Sequence, residues 1–190
     1  MQVIDHARQA QEEWRPGVTT RMRVSAASGA GQLCVFEQWC APGKGAPTHL
    51  HAVEEVITVL EGQAEFWVAE EEGTLTGGQS MVVPAGAKQL CVFEQWCAPG
   101  KGAPTHLHAV EEVITVLEGQ AEFWIADQEQ TLTAGQSMIV PAGVKHGFRN
   151  TGAGTLHVLA TLAAPIFEAA FEDAREVSRR WLPEQRAIPR

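Results

Sequence analysis

The chain has no run of about 18 apolar residues, so nothing in it reads as a bilayer-spanning helix. Its first residues, Met1 to Trp14, lack the apolar core of a secretory signal. It has no lysine/arginine cluster longer than Arg179 and Arg180, and its 14 basic residues against 23 acidic ones leave a net charge of −9. A surface of that sign repels phosphate backbones and anionic lipid, which excludes nucleic acid and membranes as expected partners. A small-molecule ligand or substrate and a cytoplasmic location are the expectations that remain. Cysteine is sparse and never spaced as C-x-x-C, which removes the usual redox and zinc patterns. The four cysteines, Cys34, Cys40, Cys91 and Cys97, are two positions seen twice. In an extended strand each pair would lie roughly 20 Å apart, too far to bond, so they read as reduced, mostly packed thiols.

What is present is a repeat. Residues 32–88 and 89–145 align without a gap, and 50 of the 57 positions are identical. The seven differences all fall in the last 21 positions of the block, while the first 36 match throughout. Drift after a simple duplication would have scattered them. The pattern suits recombination between two close homologues or an artificially assembled sequence. Removing one 57-residue copy from the 190-residue chain leaves 133 residues that read as one complete domain. A solenoid stacks several copies of a small unit, whereas this block is most of a barrel and the flanks hold the missing strands.

Short stretches rich in β-branched and aromatic residues recur between turn residues, as in an all-β sandwich or barrel. The strands expected are Val18–Val24, Leu33–Trp39, Val56–Leu60, Ala64–Val68, Ser80–Val83 and Thr155–Leu162, with second copies at Leu90–Trp96, Val113–Leu117, Ala121–Ile125 and Ser137–Val140. From Pro165 to Leu182, Ile166, Ala170, Ala174, Val177 and Trp181 recur at helical spacing, which predicts a C-terminal helix on the outside of the barrel. The organisation expected is an N-terminal segment with one barrel strand (1–31), a first partial block (32–88), a second block with a complete motif (89–163), and a helix and tail (164–190).

The chemistry concentrates in the second copy. Gly100, His106, His108, Glu112 and Gly119 are followed by Gly135, Pro141, Gly143, His146 and Asn150. Two histidines at i and i+2 on a strand point to one face, so His106 and His108 aim at one point inside a barrel. Alone, such a pair is a packed or exposed pair as often as a ligand pair. Glu112 adds a hard oxygen and His146 closes the set from a separate hairpin. Three imidazoles and one carboxylate suit a single divalent transition metal, iron, manganese, nickel, cobalt or zinc, with one or two positions open.

These residues resemble the two motifs of the cupin family, G(x)5HxH(x)3E(x)6G and G(x)5PxG(x)2H(x)3N, with agreement at all ten motif positions. The resemblance to small metal cupins covers residues 32–162. It implies a cupin-type β-barrel, a double-stranded β-helix or jelly roll. It also implies His106, His108, Glu112 and His146 as metal ligands, with the glycines, Pro141 and Asn150 as structural positions. The first copy has Gly43, His49, His51, Glu55, Gly62, Gly78, Pro84 and Gly86, yet Gln89 stands where the last histidine belongs and Phe93 where the asparagine belongs. Its His49, His51 and Glu55 therefore form an incomplete second metal site. His6 and His157 lie outside the motif and read as structural.

His146 could complete either ligand set, but the second copy is contiguous with it, so the second copy is expected to build the barrel. The displaced block is too apolar to be a solvated loop. It is expected to form a second partial barrel or to exchange with a second chain in a strand-swapped homodimer. The leading functional reading is a metal-dependent cupin enzyme acting on a small organic molecule, with dioxygenase chemistry among those the resemblance implies. In it Glu112 serves as ligand or transient base, and Trp124, Phe148 and the inward residues of Leu90–Trp96 line the pocket. The alternatives are a non-catalytic ligand-binding or sensing barrel, or an enzyme broken by the duplication.

Overall fold

The computed structural model describes residues 2–49, 51, 53–68, 71–84, 90–164, 166–172 and 177–181. The chain divides into two units, one of Met1–Ala46 with Cys91–Arg190 and the other of Pro47–Leu90. In chain order the strands are β1 (Gln2–Asp5), β2 (Glu12–Arg15), β3 (Val18–Val24), β4 (Val35–Cys40), β5 (Glu55–Thr58), β6 (Gln63–Val68), β7 (Glu71–Thr76) and β8 (Ser80–Val83). They continue as β9 (Cys91–Cys97), β10 (Gly102–Leu107), β11 (Glu112–Glu118), β12 (Gln120–Ile125), β13 (Gln128–Thr133), β14 (Gln136–Val140), β15 (His146–Asn150), β16 (Leu156–Leu162), β17 (Phe167–Phe171) and β18 (Ser178–Arg180).

The first unit is the barrel. A five-stranded sheet in the order β1-β14-β11-β16-β9 and a six-stranded sheet in the order β13-β12-β15-β10-β17-β18 supply its two walls. Along β12 the pleat turns Ala121, Phe123 and Ile125 inward and leaves Glu122 and Trp124 less buried. Those three pack with Leu132 and Phe148 of their own sheet against Ile114, Val116, Met138, Val140, Leu156 and Val158 of the other. Phe123, Leu132, Met138, Leu156 and Leu162 are fully buried, each contributing about 1.5–3 kcal/mol through lost apolar surface.

Strand β11 is buried at five consecutive residues, because its outer face is covered as well as its inner one. There Thr115 shares a 2.6 Å hydrogen bond with Ser137, and Ser137 lies 2.7 Å from Nε2 of buried His6. His6 is thus a structural group, its pKa lowered by burial. A separate sheet in the same unit pairs β2, β3 and β4. The first fifteen residues of the first block therefore belong to this unit and not to the second one.

The second unit holds two antiparallel pairs, β5 with β8 and β6 with β7. Their registers repeat those of the later copy residue for residue: Glu55 opposes Val83 as Glu112 opposes Val140, and Gln63 opposes Thr76 as Gln120 opposes Thr133.

The C-terminal helix expected over 165–182 is overturned in its described part, where β17 and β18 stand instead. His106 and Leu107 of β10 pair with Phe171 and Ala170. An open flank of β10 offers backbone partners that a helix, closed on its own hydrogen bonds, could not use. The apolar spacing at Ile166, Ala170, Val177 and Trp181 fits a helix, but Phe167, Ala169 and Phe171 alternate as a strand does. Pro165, Ala174 and Leu182 of that expectation lie outside the described residues, as do Gly86 and Gln89 of the first motif.

Candidate metal centre

The four residues singled out in the second copy meet in the barrel. His106 lies on β10, directly opposite His146 on β15. His108 follows one residue after β10 ends, and Glu112 opens β11 in the facing sheet. All four are buried, and one ligand atom from each lies within 4.8 Å of the others.

The outer nitrogens of the three rings are all engaged by backbone carbonyls. Nδ1 of His106 donates to Pro104 O at 2.7 Å, Nδ1 of His146 donates to Val144 O at 2.9 Å, and Nδ1 of His108 donates to Glu168 O on β17. A carbonyl only accepts, so each Nδ1 carries a hydrogen, and a ring in its neutral form turns an Nε2 lone pair inward. Facing them is an acceptor: Glu112 Oε2 lies 2.9 Å from Nε2 of His146 and 3.5 Å from Nε2 of His108. The longer contact is not a hydrogen bond, and Nε2 of buried His108 has no hydrogen-bond partner among the described residues. Lone pairs set against a carboxylate in a buried space repel unless a proton or a cation lies among them. A divalent transition metal satisfies all four groups at once, so the residues fit such an ion.

The electrostatics agree with that fit. Burial, aided by the neighbouring His146, lowers the pKa of His106 to about 4. At His108 burial pulls downward, but the Glu112 carboxylate and the Glu168 carbonyl outweigh it and the pKa is raised. Burial alone would raise the pKa of Glu112, yet its close contacts with the rings of His108 and His146 hold it down to about 2. At neutral pH the carboxylate is ionised and His106 is neutral, the states in which both ligate metals.

In the first copy the structure also brings His49, His51 and Glu55 within 4.8 Å, but in the open. Nδ1 of His49 donates to Pro47 O at 2.7 Å, and Nε2 of His51 lies 3.8 Å from Glu55.

Beside the four buried residues is a cavity of about 320 Å³, lined by His106, Glu112 and Phe148 and by Phe93, Glu94 and Gln95 of β9. Trp124, expected in the lining, is absent from it. Its ring covers Gly147, where an added Cβ would lie 2.4 Å away, and its indole N–H donates to Thr105 at 3.0 Å. Sequence reasoning missed Phe167, Phe171, Arg180 and Trp181, which join the lining from β17, β18 and the residue after β18, the stretch mistaken for a helix. It also missed Glu111, which is buried and accepts hydrogen bonds from the backbone N–H groups of Gly31, Gln32 and Leu33 at 2.8–3.1 Å. Asn150 proves structural: its amide donates to Cys97 O and Gly154 O, both at 2.8 Å. His157 stacks on Trp96 with ring centroids 4.4 Å apart. Gly100, Gly119, Gly135 and Gly143 all take left-handed turn conformations. The four cysteines are free, Cys34 and Cys40 exposed and Cys91 buried.

A family profile describing a cupin domain matches the chain twice, over residues 36–89 and 94–162. The chain belongs to the cupin family. The paired matches accord with the tandem duplication. Among curated proteins, this cupin is 30% identical to Auxin-binding protein 1 of Arabidopsis thaliana over 89 residues, 42% of this chain and 45% of that protein. It is 42% identical to the HTH-type transcriptional regulator PuuR of Escherichia coli over 60 residues, 32% of each. The chain thus spans less than half the length of these relatives. A structure of Bacillus subtilis oxalate decarboxylase, described with Mn(II) centres, matches with a TM-score of 0.76 at 11% identity, over 90% of this chain and 79% of that one. That likeness shows the shared fold. No helix among the described residues is long and apolar enough to cross a membrane.

Proposed function

We propose that this cupin is a metal-dependent enzyme acting on a small organic molecule, with dioxygenase chemistry as the first class to test. The observation that carries the reading is the convergence of three carbonyl-anchored imidazoles and Glu112 on one point, with His106 and Glu112 also lining a cavity. Iron, manganese, nickel, cobalt and zinc all suit the donor set. Manganese is the metal to try first, since the similarly folded oxalate decarboxylase is described with it. Bound by His106, His108, Glu112 and His146, the metal would supply Lewis acidity and a place for substrate or dioxygen.

The chain's own residues hold and orient. The carbonyls of Pro104, Glu168 and Val144 fix the rings, so little ordering remains when a ligand arrives. Glu112, ionised through its histidine neighbours, accepts a proton when its contact with a histidine loosens, which is its candidate catalytic role. Phe93, Phe148 and Phe171 keep the space beside it apolar. A ligand-binding barrel without turnover is the second reading, favoured by the partial likeness to a protein named for binding auxin.

The first test is metal content per chain by elemental mass spectrometry, on the protein and on His146→Ala. The expected result is about one metal per chain, lost in the variant, with oxygen uptake on a diketone, catechol or flavonol that stops on chelation. No metal in either protein after reconstitution would overturn the enzyme reading. A bound metal and a bound ligand without turnover would favour the second one.

A further inference from the structure

The strand pair at the C-terminal end of the barrel presents two arginines whose surroundings differ. In the register of β17 and β18, Arg179 opposes Glu168 and Arg180 opposes Phe167. Arg179 is held by Glu168, Nε to Oε2 at 2.6 Å, on one face of the ribbon. Arg180 falls on the other face with Phe167, where both line the cavity beside His106 and Glu112. Among the described residues Arg180 has no ion-pair partner. The lining also carries two acids, Glu112, held against His108 and His146, and Glu94, which lies 3.3 Å from Nε2 of His157.

Next to Arg180 the ribbon and β9 bring three aromatic rings into one packed cluster. Phe93 meets Phe167 edge-on at 5.6 Å between ring centroids and Trp181 at 5.2 Å, and Phe167 lies 6.0 Å from Trp181. Trp181 is 58% exposed at the lip of the cavity, with a left-handed backbone at φ 56°. A bulky residue in that region is strained, and such strain is held where it positions a side chain for use. Phe171 continues the aromatic wall down to His106, with ring centroids 5.2 Å apart. The cavity therefore joins an apolar, aromatic body to one cation at its mouth, the usual composition of a small-ligand site.

We infer that this cavity takes a small monocarboxylate with an aromatic body, the ring packed against the cavity side of the Phe93, Phe167 and Trp181 cluster and the carboxylate paired with Arg180. Arginine's planar fork matches a carboxylate in two parallel hydrogen bonds, which selects it over a neutral amide of the same shape. About 320 Å³ accommodates a single ring with a short acidic chain. The inference deepens the metal-enzyme reading by naming its substrate class, and it rests on that reading only for the chemistry after binding.

The test is isothermal titration with phenylacetate and with phenylacetamide, on the protein as purified, with metal content measured on the same sample. The expected result is about tenfold or greater preference for the acid, the scale of one charge-assisted hydrogen bond. Arg180→Gln removes that preference, and Arg180→Lys, which keeps the charge but not the fork, restores part of it. Trp181→Ala weakens acid and amide alike. Equal affinity for the two ligands, binding of neither, or an acid preference that survives Arg180→Gln would overturn the inference. A sample that stays without metal after reconstitution and still prefers the acid sinks the enzyme reading and keeps this one. A metal-loaded sample without the preference does the reverse.

Discussion

The two copies of the block are nearly the same sequence under two sets of neighbours. Ile114 is 2% exposed and its counterpart Ile57 38%; Ile139 is 4% exposed and Val82 56%. Local structure, by contrast, is conserved between them in detail. The histidine at the start of each motif donates Nδ1 to the proline carbonyl two residues earlier, at 2.7 Å both times. The second tryptophan of each copy donates to a threonine, at 2.8 Å for Trp67 and 3.0 Å for Trp124. Threonine and serine hydroxyls meet across each ladder, at 2.7 Å between Thr58 and Ser80 and 2.6 Å between Thr115 and Ser137. Turns, registers and ligand preorganisation thus belong to the block. Burial belongs to β15 and β16, which the chain possesses once and which pair with the second copy.

Paired substitutions at equivalent positions test that division. Phe123→Ala removes a fully buried ring and is expected to cost about 3–5 kcal/mol, whereas Phe66→Ala, at a half-buried position, should cost under about 1 kcal/mol. Urea unfolding of the two variants measures both, and equal losses would mean that the first copy is packed as tightly as the second. Gly102→Ala places a Cβ 2.0 Å from the carbonyl oxygen of Phe148, while at Gly45 nothing lies within 4 Å. The former is expected to destabilise by about 1–3 kcal/mol, and the latter to leave the midpoint almost unmoved. The smallest contrast is between neighbouring acids. Glu111 accepts from three backbone N–H groups and Glu54 from that of Leu90. Glu111→Gln should cost about 1 kcal/mol and Glu54→Gln less than half of that, and a reversal would show the first copy to hold the stronger anchor.

Legibility in the sequence divides along the same line. Val18–Val24 and Ser80–Val83 were readable to the residue because turn residues bracket them. The ligands His106, His108, Glu112 and His146 were readable because strand periodicity and spacing carry them to one point. Glu111 was hidden by its neighbour, since two adjacent glutamates on a turn look alike until the chain that meets one of them is in place. Phe167, Arg180 and Trp181 were hidden because the apolar spacing after residue 165 fits a helix nearly as well as a strand. Only the open flank of β10, a partner distant in sequence, decides between them. The exposure of Cys34 and Cys40 was equally out of reach, as their copies at Cys91 and Cys97 have the same local sequence and deeper surroundings.

One of the three carbonyls that orient the imidazoles does not come from the motif hairpins. Glu168 O, which fixes His108, is on β17, a strand held between β10 and β18 near the end of the chain. The orientation of that ring is consequently on loan from the tail. Whatever lifts the tail, whether proteolytic trimming or a fusion partner attached there, frees an imidazole about 60 residues away in the sequence and loosens the cluster without touching any of its four members.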